Sequence, residues 1–215
     1  MSSLFKKAAD AIDAGFIKRI YEGCYFDRRT RVLTRCVAEM IPKNARVLDI
    51  GCGNGQISSM IAEGRSDIHI KGIDIMKRKE ECFIPVEVFD GEHIPYNDNS
   101  FDAALFVDVL HHIPDPMIIL REAMRVVRNC IIIKDHNADR FLGNATLKFM
   151  DWVGNARYGV VLEYNYLKKP QWETAFSELG LTVGAYNSSL HLYPGPLDWV
   201  FGGSLQFVSR LDVKD

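Results

Sequence analysis

The sequence predicts an α/β fold on a mostly parallel sheet, and three observations carry that expectation. Short apolar runs alternate with stretches of helical period between residues 46 and 134. Nearly every such run stops at a glycine turn or an acid. The 215 residues are 47% apolar, enough for one domain with a sizeable core.

Taken in order, residues 4–22 read as an amphipathic helix, with Leu4, Ala8, Ile12, Phe16 and Ile20 recurring every fourth position. A second helix runs through Val32, Cys36, Val37 and Met40 and stops before Pro42. Both precede the first strand, so residues 1–43 are expected to form a helical cap on a domain of 44–215. Arg46–Ile50 is a buried strand ended by glycine, and 55–64 a helix. Strands follow at Ile68–Ile73, Ile84–Phe89, Phe101–Val107 and Cys130–Lys134. A helix over about 116–127 opens on Pro116, which suits a first turn. Residues 137–168, rich in aromatics, Asn and Gly, break the alternation and read as an insertion. A helix at about 170–179 and strands near 181–187 and 204–210 close the chain, the late strands able to pair antiparallel.

A net charge of −2 argues against a general nucleic-acid binder. Residues 1–46 nevertheless hold ten Lys/Arg against five acids. That segment is either a solvated helical face or a surface attracting an anionic substrate or lipid head groups, which leaves peripheral membrane contact open. Cys24, Cys36, Cys52, Cys82 and Cys130 form no CxxC pair, as expected of a reducing, cytoplasmic setting without structural zinc. No signal peptide and no membrane span are expected.

In an open α/β sheet, ligands sit beyond the carboxyl ends of the strands. There the sequence places the turn Asp49-Ile50-Gly51-Cys52-Gly53-Asn54-Gly55 and then Asp74, Asp90, Asp108 and Asp135. Glycines let the turn bend tightly and approach a ligand, and the following helix can aim free N–H groups at it. Asp74, after the second strand, stands where an acid accepts hydrogen bonds from a ribose diol. Asp90 could accept from an adenine amino group. A nicotinamide dinucleotide would use the same architecture, but its fingerprint is G-x-G-x-x-G. Here the glycines read G-x-G-x-G, and a reading shifted to Gly53 meets Ser58.

The segment VLDIGCGNG at 47–55 resembles the first motif of class I S-adenosylmethionine-dependent methyltransferases. GIDI at 72–75, DGEHIPYNDNSFD at 90–102 and FVDVLHHIPDP at 106–116 resemble that family's later motifs, in order. The nearest likeness is to the type 11 branch, which includes ubiquinone and menaquinone biosynthesis enzymes. It covers about residues 44–136. It implies a Rossmann-like sheet of order 3-2-1-4-5-7-6 with an antiparallel last strand. It also implies Asp49, Gly51, Cys52 and Gly53 at the methionine part of the cofactor, and Asp74 with Ile75 at the ribose. Asp90 and Gly91 would meet the adenine, and Val107 and Asp108 would lie near the transferred methyl. One departure stands out: Arg125–Cys130 replaces the family's usual Pro-Gly-Gly-type loop before the fifth strand.

The resemblance implies methyl transfer to a small apolar or aromatic acceptor, at a hydroxyl or ring carbon. A methyltransferase of RNA or protein and a non-catalytic S-adenosylmethionine-binding module stay open beside it. Asp135, His136 and His111 are candidate bases, an acid beside an imidazole being able to orient it. Trp152, Tyr164, Asn165 and Tyr166 are candidate acceptor contacts in the aromatic insertion, where aromatic residues otherwise serve as core packing. No metal is expected, because spacing places no third ligand beside His111-His112.

Overall fold

The protein is described by a computed structural model covering residues 27–76, 81–155 and 164–214, without the side chains of 27 and 152–155. The helix expected at 4–22 lies outside the described residues. The elements are α1 (Asp27–Met40), β1 (Arg46–Ile50), α2 (Gln56–Gly64), β2 (His69–Asp74), β3 (Val86–Val88) and β4 (Phe101–Val107). They continue with α3 (Pro116–Val126), β5 (Val127–His136), α4 (Gly143–Asn155), α5 (Lys169–Glu178), β6 (Thr182–Asn187), α6 (Pro196–Phe201) and β7 (Gln206–Asp212).

The strands form one seven-stranded sheet of order β3-β2-β1-β4-β5-β7-β6. β1 to β5 pair in parallel, and β7 runs antiparallel to both β5 and β6. This is the order expected from the sequence. Alternate residues of each central strand feed opposite layers, as the two-residue strand period requires. Leu48, Ile50, Ala104, Phe106, Ile131 and Ile133 pack with Ile119, Leu120, Ala123 and Val126 of α3 and Trp172 and Phe176 of α5. Val47, Ala103, Leu105, Cys130 and Ile132 face the other way, onto α1 and α2.

The helix α1 packs on the sheet. Its Leu33 and Val37 are fully buried against β1, β4 and β5. The i, i+4 apolar stripe read from the sequence is the face it buries. Arg65 fastens the end of α1: its guanidinium donates to the carbonyls of Ala38, Ile41 and Pro42, groups a helix terminus leaves without partners.

Two further boundaries differ from expectation. The α3–β5 junction has no loop: β5 starts at Val127, directly after Val126. Phe101 pairs with Val127 and Ala103 with Cys130, so a bulge absorbs the extra residue. β5 also runs on through His136, so Asp135 and His136 are the end of the strand rather than residues after it. The insertion at 137–168 contains a regular helix, α4, whose Leu147 packs with Ala138, Tyr166 and Leu205 in a small satellite core.

Candidate functional site

The turn after β1 is built from backbone geometry. Gly51, Gly53 and Gly55 have φ of 74°, 61° and 76°, values costly for residues with a Cβ. A Cβ on Gly51 would also lie 2.7 Å from the Val109 side chain. Asp74 pulls the turn against β2: its carboxylate accepts from the N–H of Gly53 (2.8 Å) and of Met76 (3.1 Å). Gly55 caps α2 without any side-chain bond, leaving N–H groups for a ligand. Buried Asp49 accepts from the Ser58 hydroxyl at 2.6 Å. Burial pushes the Asp49 carboxyl up to about 6, against the opposing pull of that hydrogen bond. Asp49, Gly51, Cys52 and Val107 share a cavity with Arg29 and Thr30 of α1 and with Asn54, Gln56 and Ile57.

At the outer strands, Gly91 (φ 90°) would bring a Cβ to 3.1 Å from Ile75, and Ile75 is 61% exposed. The two therefore present an open apolar edge. Asp90 is exposed and accepts from the N–H groups of Glu92 and His93 (2.8 and 2.7 Å). Those bonds hold its carboxyl down at about 2.

Beyond β4 and β5 lies a buried polar network. Asp108 (φ 58°) accepts from both Arg29 and Lys134. Lys134, with no exposure, also donates to Gln206 Oε1 on β7 at 2.6 Å. Burial would raise the Asp108 carboxyl, but the two cations outweigh it and hold it low. Next to them, Asp135 Oδ2 accepts from the Leu110 N–H (3.0 Å), and Oδ1 meets His111 Nδ1 at 2.7 Å and His136 Nδ1 at 3.2 Å. Burial opposes the charged form of His111, yet Asp135 on one side and Asp151 on the other shift it upward. His112 is shifted down to about 4, by burial first and by His111 second. Tyr166 donates to Asp151 and stacks on His111, with ring centroids 5.5 Å apart.

Residues 48–130 match the family described as "Methyltransferase domain". The 27-O-demethylrifamycin SV methyltransferase of Amycolatopsis mediterranei is 32% identical to this chain over 140 residues, 56% of the chain and 51% of that enzyme. The demethylmenaquinone methyltransferase of Bacillus licheniformis is 32% identical over 98 residues, 41% of the chain and 42% of that enzyme. The chain thus spans about half the length of the curated relatives it matches. A SAM-dependent methyltransferase from Aquifex aeolicus has the same fold, with a TM-score of 0.56 at 16% identity over 99% of this chain and 98% of its own.

The residues that sequence reasoning named fall into three groups along the carboxyl edge of the sheet. Asp49, Gly51, Cys52 and Val107 line one cavity, with Gly53 and Asp74 joined beside it. Ile75, Asp90 and Gly91 form the outer edge, and Asp108 is engaged by Arg29 and Lys134. Asp135, His136 and His111 do come together, but at 0%, 5% and 1% exposure they are packed inside rather than displayed at an open edge. Asn165 is spent on structure: its N–H donates to the His111 carbonyl, and its amide to the carbonyls of Ile113 and Pro114. Tyr166 belongs to the satellite core, and Tyr164 packs partly against it with the Lys148 ammonium over its ring. The Trp152 side chain lies outside the described residues. Sequence reasoning missed Arg29, Lys134 and Asp151. Lys134 carried a signal, a cation inside the apolar run CIIIK, which calls for a buried partner. Arg29 was one of ten cations in its segment, and Asp151 sat among aromatics with no spacing to mark it.

Proposed function

We propose that this chain binds S-adenosylmethionine along the β1–β2–β3–β4 edge and transfers its methyl to a small apolar or aromatic acceptor, at a hydroxyl or ring carbon. The observation that carries the reading is the turn at 51–55: three left-handed glycines, tied to Asp74, opening onto α2, whose N-cap Gly55 supplies no side-chain bond. The residues suit the cofactor's parts. Arg29 and the N–H groups of the turn offer positive charge to the amino-acid carboxylate. Asp74 accepts one backbone bond at each oxygen, and a carboxylate has about four lone-pair sites, so it retains capacity for a ribose diol. Ile75 and Gly91 offer an apolar edge to the adenine, with Asp90 beside it. When bound, the sulfonium supplies an already activated methyl. What remains for the protein is alignment and removal of the acceptor's proton. The Asp135–His136 pair is the base we assign, Asp135 orienting the imidazole.

The relatives' names, a rifamycin and a menaquinone precursor, support a small acceptor over RNA or protein. Four cysteines, Cys36, Cys52, Cys82 and Cys130, are free thiols, which supports a reducing, cytoplasmic setting. No described helix is long and apolar enough to cross a membrane. We assign peripheral lipid contact to the basic residues of 1–46, and residues 1–43 to a helical cap that α1 seats on the sheet.

Calorimetry tests the donor half. S-adenosylmethionine and S-adenosylhomocysteine are expected to bind and NAD not to. Asp74→Ala is expected to weaken S-adenosylhomocysteine binding at least about tenfold, the loss of one or two charge-assisted hydrogen bonds. NAD binding without S-adenosylmethionine binding would overturn the proposal.

A further inference from the structure

Beside the proposed methyl-transfer site, two imidazole nitrogens are buried without a hydrogen-bond partner: His111 Nε2 and His112 Nδ1. The Asp151 carboxylate stands beside them. His111 Nε2 lies 3.4 Å from Asp151 Oδ2. The ligand atoms of His111, His112 and Asp151 all lie within 4.8 Å of one another. We propose that these three residues bind one divalent transition-metal ion, which pins α4 to the turn that follows β4.

Four features carry the inference. Buried polar nitrogens are rarely left unmet, so two orphans on neighbouring imidazoles beside the Asp151 carboxylate mark a place built for a guest. Nitrogen and oxygen ligands about 2.0–2.2 Å from a tetrahedral ion stand roughly 3.3–3.5 Å apart. The His111–Asp151 separation is already of that size. His112 completes the group: its ring is tilted 48° to that of His111, with centroids 4.0 Å apart, and its Nδ1 is held by no bond. Finally, the other nitrogen of His111 is bound to Asp135 Oδ1 at 2.7 Å, the carboxylate–histidine arrangement that orients metal-bound imidazoles.

A proton could do part of this work. An imidazolium at His111 between Asp135 and Asp151 accounts for His111 Nε2. It leaves His112 Nδ1 without a partner. An ion accounts for both. The neighbouring group His111, Asp135 and His136 also comes within ligand distance, but Asp135 Oδ1 there already meets His111 Nδ1, the His136 N–H and His136 Nδ1. Two imidazoles and one carboxylate favour Zn2+, Co2+ or Fe2+ over Mg2+ or Ca2+. Three protein ligands leave a fourth position for water. Spacing along the chain supplied no third ligand beside His111-His112; the fold supplies it from a helix forty residues away.

The test uses the whole chain, stripped with a chelator and titrated with Co2+. One equivalent is expected to give visible d–d absorption, to be displaced by Zn2+, and to raise Tm. Asp151→Asn keeps an acceptor for Tyr166, and His112→Gln leaves the His111–Asp135 pair alone, so both variants are expected to fold. Each is expected to weaken Co2+ binding at least tenfold and to abolish the Zn2+-dependent rise in Tm. Absence of stoichiometric Co2+ binding in the wild type, or equal binding in the two variants, would overturn the proposal. S-adenosylhomocysteine binding, measured on the same samples, is expected to persist without metal. The metal inference and the methyl-transfer reading therefore fail separately.

Discussion

Asp49 shows how a single residue can serve a site and burden the fold. It sits buried at the end of β1, with one hydrogen bond from Ser58 and Asp74 nearby. The native carboxyl holds its proton up to about pH 6, whereas an ordinary aspartate loses it near 3.8. Between those values the native state binds more protons than the unfolded chain. Stability therefore falls as pH rises from about 4 to 6, and the cost is fully present above that window. Asp49→Asn keeps the acceptor for Ser58 and removes the buried charge. It is expected to raise stability at neutral pH by about 1–3 kcal/mol and to flatten the pH slope, while weakening S-adenosylhomocysteine binding. Denaturant unfolding of both proteins across this pH range is the measurement. A wild type that gains stability relative to the variant as pH rises would sink the assignment.

Among the elements, those with a cap, a turn residue and a regular apolar stripe were legible before the fold was known. α3 is the clearest. Asp115 accepts from the Met117 N–H, Pro116 occupies the first turn, and Ile119, Leu120, Ala123 and Val126 form the buried face. Asp115→Ala is expected to cost about 1 kcal/mol, read as a lower Tm, with S-adenosylhomocysteine affinity unchanged. A lost affinity with unchanged Tm would mean that Asp115 serves the site rather than the helix. β1 and β4 were equally legible, being short apolar runs stopped by glycine or acid. α4 was not. It starts on Gly143-Asn144, and its fully buried Leu147 faces only a four-residue satellite core, so no long stripe marks it. β5 was read short at its far end, stopping at Lys134, because Lys134 ends the apolar run and Asp135 and His136 do not resume it. They stay in the strand because their partners arrive from elsewhere: Asp108 and His111 from the β4 side, Gln206 from β7. That convergence is a tertiary fact. For the same reason the glycine turn and Asp74 could be read from the sequence, while Arg29 and Asp151 could not.

At the scale of the whole molecule, the Lys134 network joins parts that are distant in sequence. Through Asp108 and Gln206 it links α1, the end of β4, β5 and β7, with Lys134 completely buried between them. Buried charges of this kind are worth little against apolar replacements of the whole set, but breaking one partner leaves another stranded. Lys134→Met deprives Asp108 of its fully buried counter-ion and leaves Gln206 Oε1 without its donor. Burial also disfavours the charged ammonium, so some of that cost is already present in the wild type. The single variant is expected to lose about 3–5 kcal/mol. Adding Asp108→Asn removes the stranded charge, so the double variant is expected to recover part of the loss rather than add to it. Urea unfolding of the wild type, both singles and the double gives the coupling energy directly. A double variant as unstable as the sum of the singles would mean that Arg29 alone balances Asp108, and that the sheet does not depend on the ion pair across β4 and β5.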